Sequence, residues 1–434
     1  MLVFQPLKQN SNEQGEIPAL REFLISIVIL LKMGCTHLMV PRHVKKILKD
    51  HFSKARSLLL LGARQTGKTT LARSTFPRLR YVSLENPDEF RFSQEDPKSW
   101  LAQFPKGAVL DEIHRVPSLF SWLQGLIDEK KIKFVLTGSQ NILLMEKTSQ
   151  TLAGRMSILT LPPLTQAEIN GHPSKPPEDS LFNPHAPAAH PRGNLLDSIL
   201  RGGYPEPVTK PANRSFWFSD YIHTYVERNV RQLLNVKDLL SFQRFLSLCA
   251  GRSGQILNKA SLANDAGLSH GTVGHWLSVL QTSGLVYLLA PYHKNFNKRI
   301  IKSPKLYFLD TGLLCRLLGI HQTSEIQHHP LLGAIFETFV VSEIRKTLFN
   351  LGREPNLFFW RDQNGLEVDL LVPQGPDFLP LEIKLGQTIS GDSFKNLHSW
   401  RETTKTPNTP ASFLYGGDNE HQREGITVKS WRSL

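Results

Sequence analysis

The chain has 434 residues, room for roughly two to four domains, and its 40% hydrophobic content permits ordinary buried cores. With 51 Lys and Arg against 38 Asp and Glu the formal charge is +13, which favours contact with a polyanion such as nucleic acid or with an acidic surface. The three cysteines, Cys35, Cys249 and Cys315, stand far apart, so a disulfide scaffold and a cysteine-ligated metal are excluded and a reducing, cytoplasmic compartment is expected.

Residues 1–40 read as an N-terminal extension. Its apolar run FLISIVILL (Phe23–Leu31) is too short to span a bilayer and sits too far in for a signal peptide. We expect it to pack on the body, with no stable membrane insertion. Between residues 41 and 170 short apolar cores recur with helical material between them: SLLLLG, RYVSLE, GAVLDEIH, KIKFVLTGSQ and MSILTLPPL. Each suits a strand buried on both faces, so the rhythm predicts an α/β domain built on a parallel sheet.

GARQTGKTT, Gly62 to Thr70, follows the first of these strands and opens a helix, matching G-x-x-x-x-G-K-[ST]. Gly62 and Gly67 allow tight backbone passage. Successive N–H groups from Ala63, Arg64, Gln65 and Thr66 into the helix start at Thr70 can then surround phosphate oxygens. Lys68 is placed to reach the β- and γ-phosphates and Thr69 to ligate Mg²⁺, so ATP and Mg²⁺ are the cofactors this pattern implies. In VLDEIH, Asp111 ends a strand and is expected to hold the metal. Glu112 is expected to orient or deprotonate the attacking water, or else to be a solvent-facing acid. Ser139 or Gln140 of LTGSQ either senses the γ-phosphate or satisfies loop backbone. Arg155 of LAGR either acts in trans across a subunit interface or pairs with a local carboxylate.

Residues 171–200, dense in Pro, His, Asn and Gly, are expected to form a surface loop or linker. A helical connector is assigned to 201–240. Over 241–295 the pattern reads helix, Gly-containing turn, helix and apolar strand, which is compatible with a winged-helix-like module. Ser269 is the expected N-cap of a helix with Val273, Trp276, Leu277 and Leu280 in the core and His270, His275 and Ser278 outside. The basic stretch from Tyr292 to Lys305 offers Lys294, Lys298, Arg299, Lys302 and Lys305 either to phosphates or to solvent.

The last region, 296–434, predicts a further α/β domain. In LEVDLLV, strand alternation puts Glu367, Asp369 and Leu371 on one face. In LPLEIK it puts Glu382 beside Lys384. The intervening PQGPDF suits a turn, so a hairpin would bring Asp369 to Glu382 and Lys384. On the preceding helix Glu337 falls on the stripe of Val341, Ile344 and Leu348, where a carboxylate is unusual. Glu337, Asp369, Glu382 and Lys384 thus form a possible four-residue site, either a Mg²⁺-dependent phosphodiesterase or a structural salt bridge.

LLGARQTGKTTLA, AVLDEIHRVPSLFSWLQGLID, FVLTGSQNILLMEKTSQTLAGR and LPPLTQAE resemble the AAA-type ATPases predicted across bacteria and archaea. GGYPEP, YIHTYVERNV, SPKLYFLDTGLL, GAIFETFVVSEIRK, FFWRDQNGLEVDLLV and PLEIK are similar to the DUF4143 domain that accompanies them. The family's loop more often reads GPRQVGKTT, from which Ala63 and Thr66 depart, and the stretch before Pro41 is atypical. The D-(spacer)-E-x-K pattern resembles the restriction-endonuclease-like fold. The expected architecture is an AAA-like P-loop domain, a winged-helix-like module and a restriction-endonuclease-like α/β domain. The expected function is a Mg²⁺-dependent ATPase coupled to nucleic-acid binding or processing, with DNA ahead of RNA. The alternative is a nucleotide-gated DNA- or protein-binding regulator whose nuclease-like domain is inactive. Self-association or a protein partner is compatible with either.

Overall fold

The computed structural model describes residues 39–54, 57–139, 154–186, 193–224, 239–292, 303–362 and 365–434. The FLISIVILL run, Gln140, Lys294, Lys298, Arg299 and Lys302 lie outside the described residues. Among the described residues two sheets organise the body that begins at Val40.

The first sheet contains β1 (Ser57–Gly62), β2 (Arg80–Ser83), β3 (Ala108–Asp111), β4 (Val135–Ser139) and β5 (Met156–Thr160), in the order β2-β3-β4-β1-β5. All its pairs are parallel. The unbroken leucines of β1 follow from burial on both faces. Leu59 and Leu61 pack with Phe120 and Leu123, whereas Leu58 and Leu60 pack with Val44, Leu48 and Leu71. Because every strand runs the same way, Gly62, Asp111 and Ser139 reach one edge together.

The second sheet contains β6 (Gln255–Ile256), β7 (Val286–Pro291), β8 (Lys305–Phe308), β9 (Phe358–Arg361), β10 (Glu367–Gln374), β11 (Asp377–Lys384), β12 (Ser412–Tyr415), β13 (His421–Arg423) and β14 (Ile426–Ser430). Its order is β13-β14-β12-β11-β10-β9-β7-β8-β6. β7 joins β9 in parallel through Ala290↔Phe358, so strands on either side of residue 295 share one sheet. Three helices, Leu239–Ala250, Lys259–Ala266 and His270–Thr282, precede β7. Ser269 caps the third by accepting a hydrogen bond from Thr272 N, while Val273, Trp276, Leu277 and Leu280 are buried. His270 and His275 are exposed and Ser278 is half-buried.

Residues 171–200 are not wholly a surface loop. Leu181 and Phe182 insert into the large core beside the second sheet, and Ser412 Oγ donates to Leu181 O at 2.8 Å. Burying two large apolar side chains outweighs the local preference of a Pro-rich stretch for solvent. The helix Leu332–Asn350 is buried around much of its circumference, as its weak amphipathicity requires. It packs on the second sheet and also grips the loop after β5. Gln166 N donates to Glu343 Oε2 at 2.8 Å, and Lys346 Nζ donates to Leu164 O at 3.0 Å. Among the described residues no helix is long and apolar enough to cross a membrane.

Candidate functional site

β1 runs straight into the loop that precedes the helix Lys68–Thr75. A Cβ on Gly62 would lie 2.4 Å from Leu161 O, so the backbone just beyond β5 passes too close for any side chain. Gln65 and Gly67 adopt positive φ, 61° and 92°, which turns the loop back on itself. Thr66 is fully buried and donates to Ala63 O at 3.0 Å, an internal tie that fits a Thr at this position. Lys68 is 5% exposed, and its ammonium donates to Gly62 O at 3.0 Å and Ala63 O at 2.8 Å. Burial lowers its pKa, against the opposing charges of Glu112 and Asp111.

Asp111, at the end of β3, accepts from Thr69 Oγ1 at 3.0 Å on both oxygens and from Tyr81 OH at 2.9 Å. It also accepts from Thr137 Oγ1, so the helix Lys68–Thr75, β2, β3 and β4 all converge on one carboxylate. Glu112 is next, with φ 58°, a left-handed backbone that costs a non-Gly residue of order 1–3 kcal/mol. Its N–H reaches Thr137 Oγ1 at 3.3 Å, and its Oε2 lies 2.9 Å from His114 Nδ1, with angles short of a hydrogen bond. Burial works against ionising this carboxyl, but His114, Lys68 and Arg64 outweigh it and hold the pKa below the usual carboxylate range. Ser139 stands beside Gly62 in register on β4. Thr70 and Gln65 are exposed on the rim, and half-buried Arg64 lies 3.5 Å from Glu85.

Within the chain Arg155 does not reach the loop. It precedes β5, and Met156 pairs with Ser57 at the start of β1. Five residues at about 3.3 Å each put it roughly 17 Å of strand from the loop edge. Its Nε donates to Asp128 at 2.9 and 2.7 Å, the local pairing of the two sequence readings.

Arg42 is a loop partner that the sequence did not disclose. Its guanidinium donates to Thr66 O at 2.8 Å, Pro162 O at 2.7 Å and Glu168 Oε1 at 3.1 Å. The ion pair is 8% and 0% exposed, so it locks the phosphate loop to the capping box at Thr165–Glu168. Arg42→Met leaves the Glu168 carboxylate buried without its partner. A loss of about 3–5 kcal/mol is expected on urea denaturation, with the Arg42→Met/Glu168→Gln double variant losing much less than the sum. GGYPEP also lies against the loop. A Cβ on Gly67 would sit 3.8 Å from Pro205 Cγ, and Tyr221 OH, paired with Tyr204 OH at 3.0 Å, reaches Arg64 O at 3.4 Å.

On the second sheet the hairpin β10–β11 pairs Leu370 with Leu381, and Asp369 and Glu382 follow one step beyond. Asp369 Oδ2 accepts from Ile383 N at 2.8 Å, and Lys384 Nζ lies 2.8 Å from Glu382 and 3.7 Å from Asp369. Glu337 joins them through a second lysine. Lys305 Nζ lies 2.9 Å from Glu337, 2.5 Å from Glu367 and 3.9 Å from Asp369. Tyr307 OH donates to Glu337 at 2.5 Å and Asn396 Nδ2 to Glu382 at 3.2 Å. The structure therefore brings Glu337, Asp369, Glu382 and Lys384 together. Lys305, grouped from sequence with an exposed basic stretch, is instead 3% exposed at the middle of the cluster. Among the described residues no three His, Cys, Asp or Glu side chains form a group suited to hold a metal ion.

Burial, then the charge of Asp369, raises the Glu337 pKa to about 7 and that of Glu382 to about 8. A carboxyl whose folded pKa lies above the ordinary 4.5 favours the fold at low pH, and that contribution is lost as pH rises through the folded value. The contribution of these two carboxyls is expected to be lost between about pH 5 and pH 9 in urea midpoints, opposed below pH 6.5 by His43, whose pKa burial lowers, and Glu382→Gln to flatten the upper part of that loss. The depressed Glu112 and Glu168 titrate below this window and leave it undisturbed.

The first sheet and its loop define an α/β P-loop domain of the AAA type, joined to a second, larger α/β body. Residues 54–170 match the family model described as AAA domain. Residues 192–324 match Domain of unknown function (DUF8612), and 332–434 match Domain of unknown function (DUF4143). GGYPEP, YIHTYVERNV and SPKLYFLDTGLL, grouped from sequence with DUF4143, fall within the DUF8612 match. The chain is 32% identical over 352 residues to Uncharacterized protein Rv2008c of Mycobacterium tuberculosis, covering 79% of this chain and 73% of that one. Uncharacterized protein Mb2031c of Mycobacterium bovis matches with the same values. The chain belongs to the family of these mycobacterial proteins. Among solved structures, the Walker-type ATPase PABY2304 of Pyrococcus abyssi is 13% identical with a TM-score of 0.41, covering 65% of this chain and 96% of that one. The ORC1 protein of Aeropyrum pernix, in complex with DNA, is 13% identical with a TM-score of 0.29, covering 64% and 91%. Likenesses this slight support no inference about this chain.

Proposed function

We propose that the chain binds ATP with Mg²⁺ at Gly62–Thr70, hydrolyses it, and couples the cycle to nucleic-acid binding by the second body. The observation that carries this reading is the meeting of Thr69 and Asp111 at the sheet edge, beside a buried Lys68 and the left-handed Glu112. A hydroxyl and a carboxylate 3.0 Å apart are an oxygen pair suited to Mg²⁺, which would supply charge neutralisation at the phosphates. The backbone N–H groups from Ala63 to Thr70 bind phosphate oxygens, Lys68 leaves the loop carbonyls for the β- and γ-phosphates, and Glu112 orients the attacking water. Ser139 contacts the γ-phosphate side, and Arg155 acts only in trans, if a second copy presents it. ATP turnover by the wild type should require Mg²⁺ and should fall at least tenfold in Asp111→Asn and in Thr69→Val. Turnover that survives chelation and both substitutions would rule the site out.

The nucleic-acid reading rests on two further arrangements. The helix Leu332–Asn350, the antiparallel β9–β11, the helix Lys395–Thr404 and then β12 parallel to β11 resemble the restriction-endonuclease-like order. The three helices before the β7–β8 pair are winged-helix-like. One observation favours a binding module that does not cut: the Lys305 ammonium stands among Glu337, Glu367 and Asp369, where a phosphodiesterase would hold its metal. DNA and RNA binding and cleavage, measured with and without ATP and with Mg²⁺ or Mn²⁺, separate the readings. Binding without cleavage supports the module. Cleavage lost in Asp369→Ala and in Lys384→Ala supports a working nuclease, and cleavage that persists in both discards this site.

A further inference from the structure

At the root of the phosphate loop, beside β5, lies a partly open cavity of about 130 Å³. Gly62, Ala63 and Pro162 line it from the ATPase side, and Gln281, Tyr287 and Arg345 from the second body. A water takes about 30 Å³ in the liquid, so the space exceeds a single water several-fold.

Two donors on its wall are unspent. Tyr287 is 5% exposed and its OH makes no hydrogen bond; Arg345 Nε is likewise buried and unbonded. The Arg345 guanidinium lies 4.7 Å from the Tyr287 ring centroid and 5.1 Å from that of Phe349. Those ring contacts fix its plane and leave its N–H edge available. Among the described residues Arg345 has no carboxylate in ion-pair contact, and no Asp or Glu lines the cavity. The polar lining is thus an arginine, a phenol, the Gln281 amide and the Thr160 hydroxyl, a donor-rich set without a negative charge. Arg345 is half-buried and Glu354 acts on it only as a charge beyond ion-pair contact, while the buried Tyr287 hydroxyl and Arg345 Nε lack partners, so the occupant that offsets both is an acceptor-rich anion.

We propose that this cavity binds a small tetrahedral oxyanion, the size of inorganic phosphate, through the Arg345 guanidinium, the Tyr287 hydroxyl and the Gln281 amide. The site lies behind the first two residues of the phosphate loop rather than within its anion cradle, and does not depend on hydrolysis. Its occupant touches the root of that loop, because Gly62 and Ala63 form part of its wall.

Titration calorimetry with inorganic phosphate on the full chain tests this, using Lys68→Ala to suppress binding in the loop itself. Phosphate binding should persist in Lys68→Ala, weaken at least tenfold when Arg345→Met is added, and weaken several-fold when Tyr287→Phe is added. Tyr287→Phe removes one oxygen and keeps the ring, so it decides the matter if Arg345→Met fails to fold. No phosphate binding in Lys68→Ala, or a Kd unmoved by Tyr287→Phe, would overturn the assignment.

Discussion

Replacing Glu112 by glutamine is expected to lower ATP turnover by roughly 10²–10⁴-fold while leaving nucleotide affinity within a few-fold of wild type. The change removes a proton acceptor and little else. Glutamine keeps the length of the side chain and its reach to His114, and neither Thr69 nor Asp111 contacts the Glu112 side chain. The wild-type carboxyl is held ionised by His114, Lys68 and Arg64 despite its burial, so it is ready to take a proton across the neutral range. Its backbone carries strain, and the structure over-determines that strain. Ile113 is fully buried and the Glu112 N–H is held by Thr137 on the neighbouring strand. Strain maintained by its surroundings at such a position points to a side chain that must be aimed rather than merely solvated. Single-turnover hydrolysis and a nucleotide titration on the same protein check the split. Wild-type turnover in Glu112→Gln would remove this residue from the chemistry.

The phosphate loop was legible because its strand, turn and helix are contiguous, so a pattern of nine residues contains the whole geometry. The placement of Asp369 against Glu382 and Lys384 was legible for the same reason, since a hairpin is local and alternation fixes its faces. Glu337 could be suspected because a carboxylate interrupts an apolar stripe. Lys305 could not be placed from charge alone. It comes 64 positions before Asp369, and nothing in sequence periodicity says which strand lies alongside which. One signal was present: in KLYF, Lys305 and Tyr307 share a strand face, and both reach Glu337. Arg155 carried a similar clue. A residue that opens a strand of a parallel sheet stands at the edge opposite the loops that close the others. Arg42 offered no such signal, because its contacts at Thr66, Pro162 and Glu168 are joined only by the folded chain.

Lys305→Met should destabilise the protein by about 3–5 kcal/mol at pH 8, the range for a buried charge cluster that loses its counter-ion. Methionine fills nearly the same volume, so the loss would be electrostatic rather than a cavity effect. Three carboxylates would then face one another with only Lys384, 3.7 Å from Asp369, and Arg361, 3.4 Å from Glu367, left to offset them, and neither is within ion-pair distance of Glu337. The deficit should shrink towards pH 5. Burial and Asp369 already raise Glu337 to about 7, and without Lys305 it would take its proton at still higher pH, removing the repulsion. Urea midpoints of both proteins at pH 5 and pH 8 give the difference, and an equal loss at both values would show that Lys305 acts through packing. The same variant tests the chemistry of the cluster. If millimolar Mg²⁺ or Mn²⁺ restores the stability of Lys305→Met and leaves wild type unchanged, the lysine occupies a place that a divalent cation can take. That result would make the resident ammonium the feature that separates a silent nuclease-like site from a metal-dependent one. If neither cation restores it, the carboxylates are arranged for lysine alone.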